Sequence, residues 1–233
     1  GFKINKTSHI RLTDYIQSVA EKKSENEVRK TVLHAVVYHL RRYNPNDIQL
    51  SRIDKDYILG FLDYLKTAKQ THTKKEKLLH VNTQVYYYKM LRYCLNYAVS
   101  EELISANPMN KIKNEEKPHK HRTEREYLTI DELRKLAQTP FYNGLLKKAF
   151  LFSCFCGLRH SDIIALTWGD IEMDDDGNAR LYIIQKKTKE AISLPLSQEA
   201  IKQLPKREDA KEDDIIFKKL ITLGRTNEIL PKW

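Results

Sequence analysis

Cysteine is scarce in this chain: Cys94, Cys154 and Cys156 are an odd set with no CxxC pair among them. That argues against a disulfide framework and favours a reducing setting. Cys154 and Cys156 lie inside an apolar run, where cysteine is expected to act as a small buried hydrophobe. No metal site and no cofactor are expected. Long apolar runs are also missing. None approaches the ~18 residues that a membrane span requires, and no apolar stretch of a secretory signal follows Gly1 to Lys6. A cytoplasmic protein, not attached to a membrane, is therefore expected. Internal repeats and low-complexity tracts are absent. Two reactive side chains run out early: no tyrosine follows Tyr182 and no histidine follows His160.

Basic residues are plentiful. Lys and Arg number 41 against 31 Asp and Glu, a formal charge of +10. Such a surplus favours a polyanionic partner, because phosphates attract the cations and binding releases condensed counterions. RNA-binding proteins and plain soluble basic proteins share this property. The 41% hydrophobic fraction supplies material for a core.

The first half reads as helical. Apolar residues recur at helical spacing over 10–22 (Ile10, Tyr15, Ile16, Val19), over 25–42 (Val28, Val32, Leu33, Val36, Val37, Leu40) and over 54–68 (Tyr57, Ile58, Phe61, Leu62, Leu65). Asn44-Pro45-Asn46 separates the second and third segments. After a polar loop, Asn82 is expected to cap a long helix running to about Glu101, with Val85, Leu91, Leu95 and Ala98 inward. Four helices with short connections predict a small bundle over 1–110. Residues 111–126 are rich in Lys, Arg, His and Pro and nearly devoid of apolar side chains, which predicts a basic linker. A second domain, 127–233, opens with the capping box Thr129-Ile-Asp-Glu132 and a helix. Segment 144–157 predicts a buried helix. Asp174 to Gly177 predicts a turn. Residues 180–185 and 192–195 predict a hairpin around Lys186-Lys-Thr-Lys-Glu190, and Ser197 a further capped helix.

The most informative stretch is Cys156-Gly-Leu-Arg-His-Ser-Asp-Ile-Ile-Ala-Leu-Thr-Trp168. Gly157 can end the buried helix in a left-handed turn, and a new helix is expected to be capped at Ser161. Arg159 would then stand at the junction as a rigid fork able to grip a phosphate through two hydrogen bonds. Asp162 is close enough in sequence to brace it. The plainer reading is a structural Arg159–Asp162 ion pair at a helix terminus.

Residues 156–168 resemble the first arginine box of the tyrosine recombinase, or phage integrase, family. Other stretches resemble the same family in the same order. They are Tyr97-Ala98 through Ile104 with Asn107-Pro108, Leu128-Thr-x-x-Glu-Leu133, and Gln185-Lys-Lys-Thr188 followed by Leu194-Pro-Leu196. The resemblance implies a mainly α fold with a small β-sheet. An N-terminal helical-bundle, SAM-like core-binding domain would be followed by the N-terminal part of an α+β catalytic domain. It implies site-specific recombination of a phage-encoded or bacterial mobile element, through a 3′-phosphotyrosyl intermediate. By this resemblance Arg159 stabilises the scissile phosphate, Asp162 positions Arg159, and Lys187 is the general acid, with Lys186 and Lys189 as neighbours that compete for the part. The nucleophilic tyrosine and a His-x-x-Arg box would follow the hairpin. Neither does, since the strings at His39 and His119 precede Arg159. A C-terminally truncated, inactive piece of a recombinase is therefore expected, or alternatively a DNA-binding regulator that has the fold and never cut DNA.

The implied partner is double-stranded DNA gripped by both domains. The intact family member would act as a homotetramer, whereas this piece is expected to be a monomer in solution. Expected DNA contacts are Lys74 and Lys75 in the polar loop, Thr83, Gln84, Tyr87 and Arg92 on the long helix, and Lys117, Lys120, Arg122 and Arg125 in the basic segment. A solvated polar face is the competing reading for each.

Overall fold

Helix-forming stripes account for most of the chain. The computed structural model describes residues 9–23, 26–71, 76–122, 124 and 126–233. Lys74, Lys75 and Arg125 lie outside the described residues. The chain divides into two compact units, Gly1–Glu124 and Arg125–Trp233.

The first unit is built on α1 (Leu12–Lys23), α2 (Glu27–Tyr43), α3 (Lys55–Thr67) and α4 (Val81–Ser100). Each begins where a polar group meets orphan backbone donors. The Asn26 side chain accepts from the amides of Val28 and Arg29, and Asp54 accepts from Tyr57. For α1 the polar group arrives from the turn after α2: the Asp47 carboxylate accepts from the Thr13 amide at 3.2 Å and the Thr13 hydroxyl at 2.8 Å. Inward stripes then meet in one core containing Ile16, Leu33, Leu40, Ile58, Phe61, Leu91 and Leu95. Val28, expected in the α2 stripe, is 66% exposed because it lies in the first turn, beyond the reach of the core. The cap of α4 also differs from expectation. His80, not Asn82, is the N-cap, and its Nδ1 accepts from the Asn82 amide.

Asn82 is instead engaged elsewhere. Its amide group donates to the His121 carbonyl at 3.1 Å and accepts from the His121 amide at 3.0 Å. Much of the segment expected to be a linker is thus fastened to the bundle. Ile112 is buried in the first core, two 3-10 turns (Pro108–Lys111 and Asn114–Glu116) break the segment, and Glu116 pairs with Lys55 at 2.8 Å.

The second unit holds α5 (Ile130–Gln138), α6 (Gly144–Cys156), α7 (His160–Ile163), α8 (Gln198–Ile201) and α9 (Leu223–Ile229). It also has an antiparallel sheet in the order β1 (Ile171–Met173), β2 (Ala179–Ile184), β3 (Ala191–Leu196). Thr129 and Glu132 form the expected capping box, and Ser197 caps α8. The hairpin register pairs Ile183 with Ile192 and Ile184 with Ala191, leaving residues 185–190 as the turn. Phe152, Leu158, Ile163, Leu166, Leu181 and Phe217 form its core. Cys154 breaks expectation by facing outward, because α6 buries only one side near its end; Cys156 is half-buried. The architecture is mainly α with one small sheet.

Candidate functional site

α6 ends at Gly157, whose φ of 67° is the left-handed conformation that L side chains avoid. Ser153 secures the turn twice: its carbonyl accepts from the Gly157 amide at 2.8 Å, and its hydroxyl donates to the Leu158 carbonyl at 2.6 Å. Leu158 drops into the core, and the next residue, Arg159, is exposed. Arg159 itself is the N-cap of α7, two residues earlier than the expected Ser161, and its carbonyl accepts from the amides of Asp162 and Ile163. The backbone of the reactive candidate is thereby fixed from both sides.

Its side chain is held by a residue that the spacing did not single out. Arg159 Nη1 donates to Gln185 Oε1 at 2.7 Å. Gln185 is 7% exposed, and the same oxygen accepts from the Thr188 hydroxyl at 2.8 Å. Among the described residues no ion pair joins Arg159 to Asp162. Asp162, 5% exposed, turns to the hairpin instead, and its Oδ1 accepts from the Lys186 amide at 3.0 Å. Its Oδ2 is buried with no hydrogen-bond partner among the described residues. The expected direct brace is thus replaced by an indirect one. Asp162 fixes the start of the turn, and the turn fixes Arg159 through Gln185.

Lys187 stands in that turn, which is closed by the Gln185 amide donating to the Glu190 carbonyl and the Lys189 amide donating to the Gln185 carbonyl, both at 2.9 Å. Lys189 takes a left-handed φ of 62° to complete it. Lys186, Lys187 and Lys189 are all exposed, so the geometry does not separate Lys187 from its neighbours. Arg159 and this turn form a cationic edge held from beneath by the Gln185 amide and the Asp162 carboxylate. Such an arrangement suits a phosphate, since the charges are aimed before the anion arrives. Behind Arg159, His160 Nε2 lies 3.1 Å from the Ile221 carbonyl and 3.4 Å from the Thr226 hydroxyl, which ties α9 to α7.

The expected contacts in the first unit divide sharply. Gln84 and Tyr87 are 8% and 6% exposed. Gln84 donates to the Leu79 carbonyl, and the Tyr87 ring lies 5.5 Å from the ring of buried His39. Both serve the bundle, which corrects their expected place off the apolar stripe: α4 is covered over more of its circumference than a single stripe. Thr83 and Arg92 are half-buried, and Arg92 donates to Asn110 Oδ1 at 3.0 Å. Lys117 is half-buried, whereas Lys120 and Arg122 are exposed on either side of the His121 residue that Asn82 clips. Spacing alone gave no sign of that clip.

Comparison with known proteins agrees over both units. Residues 11–115 match the phage integrase SAM-like domain, and residues 126–227 match the phage integrase family. Among solved structures, a lambda integrase tetramer bound to a Holliday junction is similar with a TM-score of 0.70 at 19% identity, over 98% of this chain and 67% of that one. A lambda integrase dimer bound to a COC′ core site gives 0.68 at 20% identity, over 95% and 75%. The Tn1549 transposon integrase in complex with circular intermediate DNA gives 0.64 at 14% identity, over 92% and 69%. At these identities the structures speak to the fold. No curated protein matches the sequence.

Proposed function

The chain belongs to the phage integrase family of tyrosine recombinases, and from that premise we propose that it binds duplex DNA and supplies part of the phosphate-activating site of a site-specific recombinase. The observation that carries this reading is the exposed Arg159, aimed by a left-handed turn and held by Gln185 on the turn that bears Lys187. In the reaction proposed for the whole recombinase, a tyrosine oxygen attacks the scissile phosphorus and the 5′ oxygen departs. The Arg159 guanidinium stabilises the charge that builds on the pentacoordinate phosphate, and Lys187 gives a proton to the departing oxygen. The product is a 3′-phosphotyrosyl link that keeps the bond energy for rejoining, so no nucleotide is consumed. That activity serves a bacterial or phage mobile element within the cytoplasm.

Lys117, Lys120 and Arg122 supply phosphate contacts, as do Thr83 and Arg92 on α4; Lys74, Lys75 and Arg125 are proposed for the same role on charge alone. The lack of any tyrosine after Tyr182 supports a second element of the proposal: these 233 residues engage DNA without forming a covalent bond to it. They are proposed to do so as a monomer. The tetrameric assembly of lambda integrase on a junction is proposed for the intact recombinase only.

Titrating the protein with duplex DNA at rising salt tests the first element. Affinity falls steeply with salt, and Arg159→Ala lowers the slope by about one counterion. Salt-independent or absent binding overturns it. A nicked trapping substrate tests the second: the expected result is no adduct, and a protein–DNA band resistant to denaturant overturns it.

A further inference from the structure

We propose that Gln185 is the positioning residue for Arg159, and that through it the arginine and the Lys187 turn act as one unit. This assignment rests on the phosphate-site reading above and names the part that aligns it.

A single oxygen carries the connection. Gln185 Oε1 accepts from Arg159 Nη1 at 2.7 Å and from the Thr188 hydroxyl at 2.8 Å. A carbonyl oxygen has two lone pairs, so these two donors use its capacity fully. Arg159 is exposed, and an exposed arginine ordinarily samples many rotamers. Gln185 is 7% exposed, and its own backbone is pinned by the two hydrogen bonds that close the turn. A mobile cation is thus tied to a buried, immobile acceptor. The acceptor is neutral, which matters. A carboxylate in its place would hold Arg159 more strongly but would cancel the charge that a phosphate needs. Asp162 secures the other end of the same assembly by holding the Lys186 amide at 3.0 Å, and it leaves the guanidinium alone. Since Lys187 lies between Lys186 and Thr188, any shift of the turn moves Lys187 and Arg159 together. The register between the two cations is therefore set by hydrogen bonds within the protein before an anion binds.

Gln185→Leu keeps the size and removes the acceptor, and Thr188→Val removes the second donor. The first measurement needs no DNA: nitrogen-15 relaxation of the Arg159 Nε–H group in the 233-residue protein. Arg159 is ordered in the wild type, becomes mobile on the nanosecond scale in Gln185→Leu, and is partly loosened in Thr188→Val. Backbone amide shifts of β2 and β3 stay in place, which separates lost positioning from lost folding. Unchanged Arg159 dynamics in a folded Gln185→Leu protein overturns the assignment.

The second measurement is a double-mutant cycle on duplex affinity. Gln185→Leu weakens binding about threefold, as expected for one hydrogen bond's net contribution, and it has no further effect once Arg159 is alanine. Additive losses overturn the coupling. If the wild type fails to bind duplex at all, the DNA reading falls, while the relaxation measurement still decides the role of Gln185.

Discussion

The two units spend their side chains differently. In the first, every helix from α1 to α4 places apolar residues at or near zero exposure, and even polar Thr13 and His39 are enclosed. In the second, α5 buries none of its residues, and Tyr127, Ile130, Tyr142 and Ile184 stand 70–86% exposed. The groups proposed for chemistry sit in this second unit, at the N-cap of a four-residue helix and on a hairpin turn, joined by side-chain hydrogen bonds. Packing organises the first unit; polar links organise the site of the second. Such links hold a geometry while leaving the surface open, whereas a deep core holds shape and leaves little room for a substrate.

Fluorescence can separate the two, because both tryptophans, Trp168 and Trp233, lie in the second unit. The largest expected effect comes from Phe61→Ala, which empties a fully buried position in the first core. It costs ~3–5 kcal/mol. The helical signal in circular dichroism should therefore melt earlier while the tryptophan transition stays in place. A matching shift in tryptophan fluorescence would show that the units unfold as one and break the comparison.

Acid comes next. Burial, aided by the charge of Arg42, pushes His39 down from 6.5 to about 4. The folded state resists protonating this ring while the unfolded chain accepts the proton. Its contribution is therefore complete above pH 6.5 and is lost as the pH falls toward 4. Circular-dichroism melts at pH 7 and pH 5 should show the first unit losing stability, and His39→Leu should flatten that dependence. An equal loss in the leucine variant would place the acid sensitivity elsewhere.

The smallest expected effect is Asn82→Ala. It removes both bonds to His121 and should lower duplex affinity roughly two- to threefold, with a stability change near 1 kcal/mol. Unchanged affinity would mean that the clip tidies the surface without presenting Lys120 and Arg122.

Local pattern made much of this molecule legible. The stripes of α3 and α4, that of α2 beyond its first turn, the Thr129 capping box and the hairpin around 186–190 each depend on neighbours in sequence, and each stands where the spacing puts it. What failed depended on distant partners. Gln84 and Tyr87 look polar or amphipathic in sequence and turn inward because other helices close over α4. Asn82 was expected to cap its own helix and instead holds a backbone 39 residues away. Asp162 is only three residues from Arg159 in sequence yet serves the hairpin, while Gln185, 26 residues from Arg159, receives its hydrogen bond. Spacing exposes periodic contacts; it is silent on which of several polar groups meet across a fold.

The turn at Gly157 has a consequence for handedness. A Cβ built there would meet nothing within 4 Å, so the position has ample room, yet its φ of 67° is one that an L side chain resists. The demand is for the absence of L chirality, not for small size. A D-alanine introduced by chemical ligation should sit there without strain and leave Arg159 aimed as before, while L-alanine, with the same atoms in mirror image, should swing the arginine away.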